Sequence, residues 1–164
     1  MSKEIKVVIM GSEDVGKTTL MENLIGKIGK VEHNGTTVAI DYGNIEIEGK
    51  KIHIFGTPGQ ERFEFMRELT LNGTDFVLLV LDATTGLKQT DKGIIDILCS
   101  KKIPYAIFIN KIDSCSHKEL ENLTNELHTL CLGCGNIIEG SAIKKEGFDE
   151  IKDILKNLLV NYNR

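Results

Sequence analysis

The stretch GSEDVGKT, residues 11–18, matches the pattern G-x-x-x-x-G-K-[ST] and governs how the rest of the chain is interpreted. Residues 6–10, which are apolar except for Lys6, precede it and predict a buried strand, and helically spaced apolar residues follow it. Glycines at both ends of such a loop let backbone N–H groups converge on phosphate oxygens, and the following helix N-terminus adds positive potential. Lys17 is expected to reach the β- and γ-phosphates, and the Thr18 hydroxyl to bind Mg²⁺. This phosphate-binding loop (P-loop) therefore predicts a nucleoside triphosphate site.

A second motif, NKID at residues 110–113, predicts which base the site reads. It follows directly after a predicted strand, residues 105–109, and ligands bind at the carboxyl ends of strands in such sheets. The Asp113 carboxylate can accept hydrogen bonds from N1–H and the N2 amine of guanine, whereas adenine lacks the amine and presents an acceptor. A site of this kind can prefer guanine over adenine by a factor of ~10⁴–10⁵. Alone, the motif could equally cap the next helix, but after a P-loop it predicts guanine.

A third segment, SAI at residues 141–143, follows the predicted strand at residues 136–139. Its expected role is to bring the Ala142 backbone N–H to the guanine O6. The triplet is too common to carry this role alone. Together with the NKID motif it forms the expected third side of a guanine pocket.

The order of predicted elements indicates an α/β fold, because strands alternate with helices along the chain. No linker is long enough to divide two domains, so residues 1–164 are expected to form one domain. Two alternating runs, residues 38–48 and 51–55, predict an antiparallel hairpin with Gly49-Lys50 as its turn. With four further strands, this predicts the three-layer sandwich of P-loop NTPases: a mainly parallel six-stranded sheet with one antiparallel edge hairpin and helices on both faces.

The motifs stand in the order found in small GTPases of the Ras superfamily: the P-loop, TVAIDY at residues 37–42, GQERF at residues 59–63, NKID and SAI. The chain resembles this superfamily over nearly its whole length. It looks closest to prokaryotic members, such as bacterial polarity GTPases and the GTPases of actinobacterial conservons. The resemblance implies a single GTPase domain that binds GTP with Mg²⁺, hydrolyses it slowly to GDP and signals through nucleotide-dependent partner binding.

The resemblance also implies a role for individual residues. Thr37 resembles the switch I threonine that binds Mg²⁺ and the γ-phosphate only in the GTP form. Gly59 resembles the switch II glycine whose N–H contacts the γ-phosphate, and Gln60 the residue that orients the attacking water. Lys17, Thr37 and Gln60 are thus the expected catalytic residues, and Thr18 and Thr37 the expected metal ligands. The expected nucleotide-binding residues are Glu13, Asp14, Val15, Gly16, Lys17, Thr18, Thr19, Thr37, Gly59, Asn110, Lys111, Asp113, Ser141, Ala142 and Ile143.

Composition narrows the expected partners and location. The 164 residues carry a net charge of −4, which gives no reason to expect nucleic-acid or anionic-membrane binding. The N-terminus is too charged for a signal peptide and the C-terminus has no cysteine for prenylation, so a cytoplasmic protein without membrane anchor is expected. The resemblance implies GTP and GDP as ligands and a protein effector and regulator. Prokaryotic relatives often work with roadblock/longin-type dimers.

Departures from the resemblance bear on the metal and on hydrolysis. Gly56 stands where most relatives have an aspartate that holds Mg²⁺ through water, and Glu13 and Asp14 replace glycines of Ras proper. With Gly49-Lys50 as the turn, Asp41 becomes the diagonal neighbour of Gly56 on the same sheet face. Asp41 could then supply the missing carboxylate, and the alternative is a solvated or effector-facing strand residue.

Three other functional classes stay open from the sequence. A GTP-binding interaction module with little or no hydrolysis would fit Glu13 and the missing aspartate. An ATP-using P-loop enzyme such as a kinase would fit the P-loop, but Asn110 and Asp113 argue against it. A zinc or redox protein would use the C-x-x-C pair of Cys131 and Cys134, although no second such pair accompanies it.

Overall fold

The computed structural model describes residues 4–32, 39–57, 72–130 and 136–162. The strands in this part of the chain are β1 (Ile5–Met10), β2 (Gly29–Glu32), β3 (Ala39–Ile47), β4 (Lys50–Gly56), β5 (Phe76–Asp82), β6 (Tyr105–Asn110) and β7 (Asn136–Glu139). They form one seven-stranded sheet in the order β2-β3-β4-β1-β5-β6-β7. Thr37, Gly59, Gln60, Cys131 and Cys134 lie outside the described residues, so their predicted roles stay predictions.

Strand directions and helices confirm the predicted fold class. Strands β4, β1, β5, β6 and β7 are parallel, and β2, β3 and β4 pair antiparallel. The helices among these described residues are α1 (Lys17–Ile25), α2 (Gln89–Ser100), α3 (His117–Leu130) and α4 (Phe148–Tyr162). None of the described helices is long and apolar enough to cross a membrane. The architecture is the α/β sandwich of P-loop NTPases.

The interior strand β5 shows why helices must cover both faces of the sheet. All of its residues are buried. Leu78 and Val80 belong to the core shared with α1 and α4, whereas Val77 and Leu79 belong to the core shared with α2 and α3. A continuous apolar strand of this kind is stable only between two helical layers. The neighbouring strand β1 is the middle strand of the seven. The P-loop follows it and so lies at the carboxyl ends of the parallel strands, near the centre of the sheet.

The strand count corrects the prediction of six strands. The additional strand, β2, pairs antiparallel with β3 and forms the sheet edge in place of the predicted hairpin. Its sequence is GKVE, in which Val31 is the only apolar residue. One apolar position gives no alternating pattern, so the sequence carried no signal for this strand. Its pairing places Lys30 directly opposite Asp41.

The hairpin register also differs from the prediction. The turn is Glu48-Gly49 and not Gly49-Lys50, because Ile47 pairs with Lys50. Glu48 and Gly49 both have positive φ, 52° and 78°. Two central residues at positive φ give a turn whose twist matches that of the flanking strands, and glycine favours it. The shift places Asp41 directly opposite Gly56, where the predicted register made the two diagonal neighbours.

Candidate functional site

The P-loop joins β1 to α1 at the carboxyl edge of the parallel strands. A Cβ on Gly11 would lie 2.6 Å from the carbonyl oxygen of Val80 on the neighbouring strand. Gly16 has φ 96°, and a side chain there would collide with the Asn110 amide nitrogen. Both glycines of the motif are therefore required by the close approach of the loop to β5 and to the NKID segment.

The variable positions of the P-loop differ in exposure. Val15 is buried, Thr19 is half-buried, and Glu13 and Asp14 are exposed. Asp14 has φ 63°, in the left-handed region that favours glycine. Glycine adopts this conformation without steric cost, and aspartate is among the few other residues that visit it. Glu13 and Asp14 thus leave two carboxylates at the surface of the loop.

Lys17 is folded back onto the loop that precedes it. Its Nζ donates to the carbonyl oxygens of Gly11 at 2.8 Å and Ser12 at 2.7 Å. Burial lowers the pKa of Lys17 to about 8, although nearby carboxylates, of which Asp91 acts most strongly, oppose the lowering. The ammonium is thus held against the loop backbone, where it can turn to an anion bound by the loop N–H groups.

Two buried polar atoms beside Lys17 have no hydrogen-bond partner among the described residues: Ser12 Oγ and Asp91 Oδ1. The other oxygen of Asp91 accepts from the Lys88 backbone N–H at 2.9 Å. Burial raises the pKa of Asp91, and the Lys88 and Ser12 N–H groups and the charges of Lys88 and Lys17 oppose this. Sequence reasoning missed Asp91, because an acid in the first turn of α2 is typical of ordinary helix capping.

Asn110 ties the three predicted motifs together. It is buried, its Nδ2 donates to the Val15 carbonyl at 2.8 Å, and its Oδ1 accepts the Ala142 N–H at 2.8 Å. One side chain thus links the P-loop, the NKID motif and the SAI segment. The Ala142 N–H was expected to reach the guanine O6. Here it donates to Asn110, so contact with O6 would require sharing or exchanging this hydrogen bond.

Lys111 extends along the outside of the same junction. With φ 66°, it sends Nζ to the carbonyl oxygen of Asp14 at 3.0 Å and to Asp82 Oδ2 at 2.8 Å. Burial favours a raised pKa for Asp82, but hydrogen bonds from Lys111 and Thr84 outweigh it and hold the pKa below its usual value. Asp82 is 5% exposed and remains ionised beside the lysine. No motif in the sequence pointed to Asp82, since its role depends on the packing of β5 against β6.

The predicted base-reading side chain, Asp113, is exposed in a short 3₁₀ turn after β6. Its Oδ2 lies 4.0 Å from Lys144 Nζ, a distance that leaves the carboxylate free to accept other hydrogen bonds. Ser141 is buried and its Oγ accepts the Lys144 N–H at 3.3 Å. Ile143 is 77% exposed next to these residues. The Asp113 carboxylate, the buried Ser141 loop and the exposed Ile143 side chain therefore lie together at the carboxyl ends of β6 and β7.

Thr18, the predicted metal ligand on α1, has a partner on β3. Its Oγ1 donates to Asp41 Oδ2 at 3.2 Å, and Lys30 Nζ donates to Asp41 Oδ1 at 2.8 Å. Asp41 lies opposite Gly56, the end residue of β4. The next residue, Thr57, is buried and donates its N–H and its hydroxyl to the Ile9 carbonyl at 3.0 and 3.2 Å. The start of the predicted switch II loop is thus fixed to β1.

The zinc or redox alternative stays untested, because Cys131 and Cys134 lie outside the described residues. Among them, no three histidine, cysteine or acidic side chains are grouped so that they could hold a metal ion. Cys99 and Cys115 are free thiols.

The chain matches the GTP-binding domain of elongation factor Tu over residues 30–161. It is 59% identical over 148 residues to the uncharacterized protein MJ1339 of Methanocaldococcus jannaschii, covering 90% of this chain and 92% of that protein. It is 35% identical to translation initiation factor IF-2 of Mycoplasma mobile, covering 91% of this chain but 26% of that factor.

A solved structure agrees with these matches. The chain is similar to translation elongation factor SelB from Methanococcus maripaludis in complex with the GTP analogue GppNHp, with a TM-score of 0.80 and 27% identity. The similarity covers 98% of this chain and 34% of that one. The predicted class of P-loop GTPase is confirmed, and the narrower resemblance to prokaryotic polarity and conservon GTPases stays a prediction. The chain belongs to the family of elongation factor Tu GTP-binding domains.

Proposed function

We propose that this chain is a GTP-binding molecular switch, a single domain that hydrolyses GTP slowly to GDP and signals through nucleotide-dependent partner binding. The family to which it belongs consists of GTP-binding domains with GTPase activity. The observation that carries the proposal is the attachment of the NKID motif to the P-loop. Asn110 donates to the Val15 carbonyl and Lys111 to the Asp14 carbonyl, at 2.8 and 3.0 Å. A nucleotide with its phosphates in the P-loop would therefore have its base beside the NKID motif.

Binding begins with the phosphates. The glycine-lined loop and the free N-terminus of α1 would supply N–H donors, and Lys17 would exchange two carbonyl partners for phosphate oxygens. The buried Ser12 hydroxyl, which lacks a partner among the described residues, is the kind of group that such an anion satisfies. At the base, the Asp113 carboxylate would accept two guanine donors, and the exposed Ile143 would be covered by the nucleotide.

Members of this family generally use Mg²⁺ with the nucleotide. The residues present fit a hard cation, because a threonine hydroxyl and a carboxylate, both oxygen donors, lie together at Thr18 and Asp41. When bound, Mg²⁺ neutralises charge between the β- and γ-phosphates. Thr18 would orient its hydroxyl toward the cation, and Thr37 would add a second hydroxyl only in the GTP form.

The switch would act through the two loops that flank the γ-phosphate. Thr37 and Gly59 would be held in the GTP form and released after hydrolysis, which changes the surface that a protein effector meets. We propose an effector and a regulator of the roadblock/longin type, by kinship with prokaryotic small GTPases. A cytoplasmic location and the absence of nucleic-acid partners complete the proposal.

Hydrolysis is proposed to be slow without a partner. Turnover in this class is ~10⁻⁴ s⁻¹ without an arginine finger and ~10⁻² s⁻¹ with one in cis. The sequence has only three arginines, Arg62, Arg67 and Arg164, and none stands in the segment that leads to Thr37. The second candidate, a GTP-binding module with little or no hydrolysis, is favoured by Glu13 and Asp14, whose carboxylates are exposed on the P-loop.

Two measurements test the proposal together. Protein loaded with a non-hydrolysable GTP analogue should capture partners from an extract of the source cells that GDP-loaded protein does not. Multiple-turnover phosphate release from GTP should be slow for the pure protein and faster with the extract. The matched control is Lys17→Ala, which should lose both effects.

The outcomes separate the two candidates. Nucleotide-dependent capture without phosphate release, even in the extract, would favour the non-hydrolysing module. Identical partners with both nucleotides would contradict the switch.

A further inference from the structure

We infer that Asp41 supplies the carboxylate for bound Mg²⁺ in this protein, in the place that relatives fill with an aspartate at the position of Gly56. The inference rests on the proposed function, since it concerns the metal that accompanies the nucleotide. It assigns the metal site a residue from β3 in place of one from the start of switch II.

The strand register brings Asp41 to this place. Asp41 and Gly56 are directly opposed in the antiparallel pair of β3 and β4. Directly opposed residues point to the same sheet face with Cβ atoms about 4.5–5.5 Å apart. A carboxylate on Asp41 can therefore occupy the region that a side chain on residue 56 would enter.

The packing around Gly56 leaves no free room for the usual side chain. A Cβ on Gly56 would lie 2.6 Å from Met21 Sδ and 3.4 Å from Asp41 Cβ. The first distance is far below van der Waals contact, so an aspartate at residue 56 would require Met21 of α1 to move. Met21 is fully buried in the core beneath α1. Gly56 thus leaves room for the side chains of Met21 and Asp41, and the second of these carries the carboxylate.

The contact with Thr18 shows where this carboxylate points. Asp41 Oδ2 accepts the Thr18 hydroxyl at 3.2 Å, across an interval of 23 residues in sequence. Thr18 is the P-loop residue proposed to bind Mg²⁺, so the carboxylate lies beside an expected ligand of the cation. Mg²⁺ keeps several waters and takes few protein carboxylates, so a carboxylate at this distance serves either directly or through a bound water.

Lys30 completes the arrangement from the edge strand β2. It is paired with Asp41 across the two strands, and its Nζ lies 2.8 Å from Asp41 Oδ1. The Lys30 side chain is 68% exposed, whereas that of Asp41 is 17% exposed. The lysine therefore pairs with one carboxylate oxygen, and the other accepts from Thr18. As a cation near the metal it also opposes Mg²⁺, so its removal should not weaken metal binding.

The test measures Mg²⁺ binding without relying on hydrolysis. Release of the fluorescent nucleotide mant-GDP is followed over a range of free Mg²⁺ concentrations, which gives an apparent dissociation constant for the metal. In Asp41→Asn, which keeps the size of the side chain, this constant should rise by about 10–100-fold. Affinity for mant-GDP in excess EDTA should match the wild type, which also shows that the variant is folded. Asp41→Ala should behave in the same way.

Two matched variants sharpen the result. Glu46→Gln removes an exposed carboxylate from the same strand, opposite Lys51, and should leave the Mg²⁺ dependence unchanged. Lys30→Met should bind Mg²⁺ at least as tightly as the wild type. An unchanged Mg²⁺ dependence in Asp41→Asn, with normal mant-GDP binding, would overturn the inference alone. Failure of the wild type to bind mant-GDP would instead overturn the proposed function on which it rests.

Discussion

Raising the pH from 7.0 to 8.5 should increase the number of protons that Lys17 takes up when the nucleotide binds. Burial lowers the pKa of this ammonium in the free protein to about 8. Lys17 is then neutral in roughly one tenth of the molecules at pH 7.0 and in about three quarters at pH 8.5. Phosphate oxygens favour the charged form and raise the pKa in the complex. Binding should therefore take up about 0.1 proton at pH 7.0 and about 0.7 proton at pH 8.5.

The sign of the pH dependence follows from the same comparison. Because the complex holds more protons than the free protein, affinity falls as pH rises through the pKa of the free state, by up to about tenfold per pH unit. Calorimetry of GDP binding to nucleotide-free protein, in two buffers with different ionisation enthalpies, measures the uptake directly. Lys17→Arg is the control, because arginine stays protonated and should take up nothing. Wild-type binding at pH 8.5 without proton uptake would refute the assignment of Lys17 to the phosphates.

Three further predictions concern other residues of the site. Asn110→Ala leaves a buried N–H and a buried carbonyl unpaired and should lower the free energy of unfolding in urea by about 2–5 kcal/mol. The exposed control Asn125→Ala should change it by less than about 0.5 kcal/mol. Equal effects of the two variants would show that Asn110 does not link the P-loop to the SAI segment. Gly56→Ala should lower the free energy of unfolding by about 1–3 kcal/mol through its clash with Met21. The double variant with Met21→Ala should lose less stability than the sum of the two single variants, and additive losses would exclude the clash. Gln60→Leu should hydrolyse GTP at least about tenfold more slowly than wild type, and equal rates in a phosphate-release assay would show that another group positions the water.

The P-loop and the NKID motif could be predicted from the sequence, because each depends on residues that are neighbours along the chain. The P-loop glycines and the segment at residues 110–113 each follow a buried strand directly, so strand order alone brings them to one sheet edge. The contacts of Asn110 with Val15 and Ala142 fit that expectation.

Contacts that depend on register or on weak strands could not be predicted in the same way. The Thr18–Asp41 hydrogen bond depends on whether the hairpin turn begins at Glu48 or at Gly49. A shift of that turn by one residue changes every opposed pair along the ladder. Lys30 reaches Asp41 only because a four-residue edge strand forms, and its sequence lacks the alternation that indicates a strand.

The central claim is that this chain reads guanine through Asp113 while the P-loop holds the phosphates. Displacement of mant-GDP by unlabelled GDP, ADP and xanthosine diphosphate, for wild type and Asp113→Asn, tests it most directly. The wild type should prefer GDP over ADP by ~10⁴-fold or more. Asp113→Asn should shift the preference toward the xanthine nucleotide, because the amide can donate to its C2 carbonyl. Equal displacement of mant-GDP by GDP and ADP from the wild type would contradict the account.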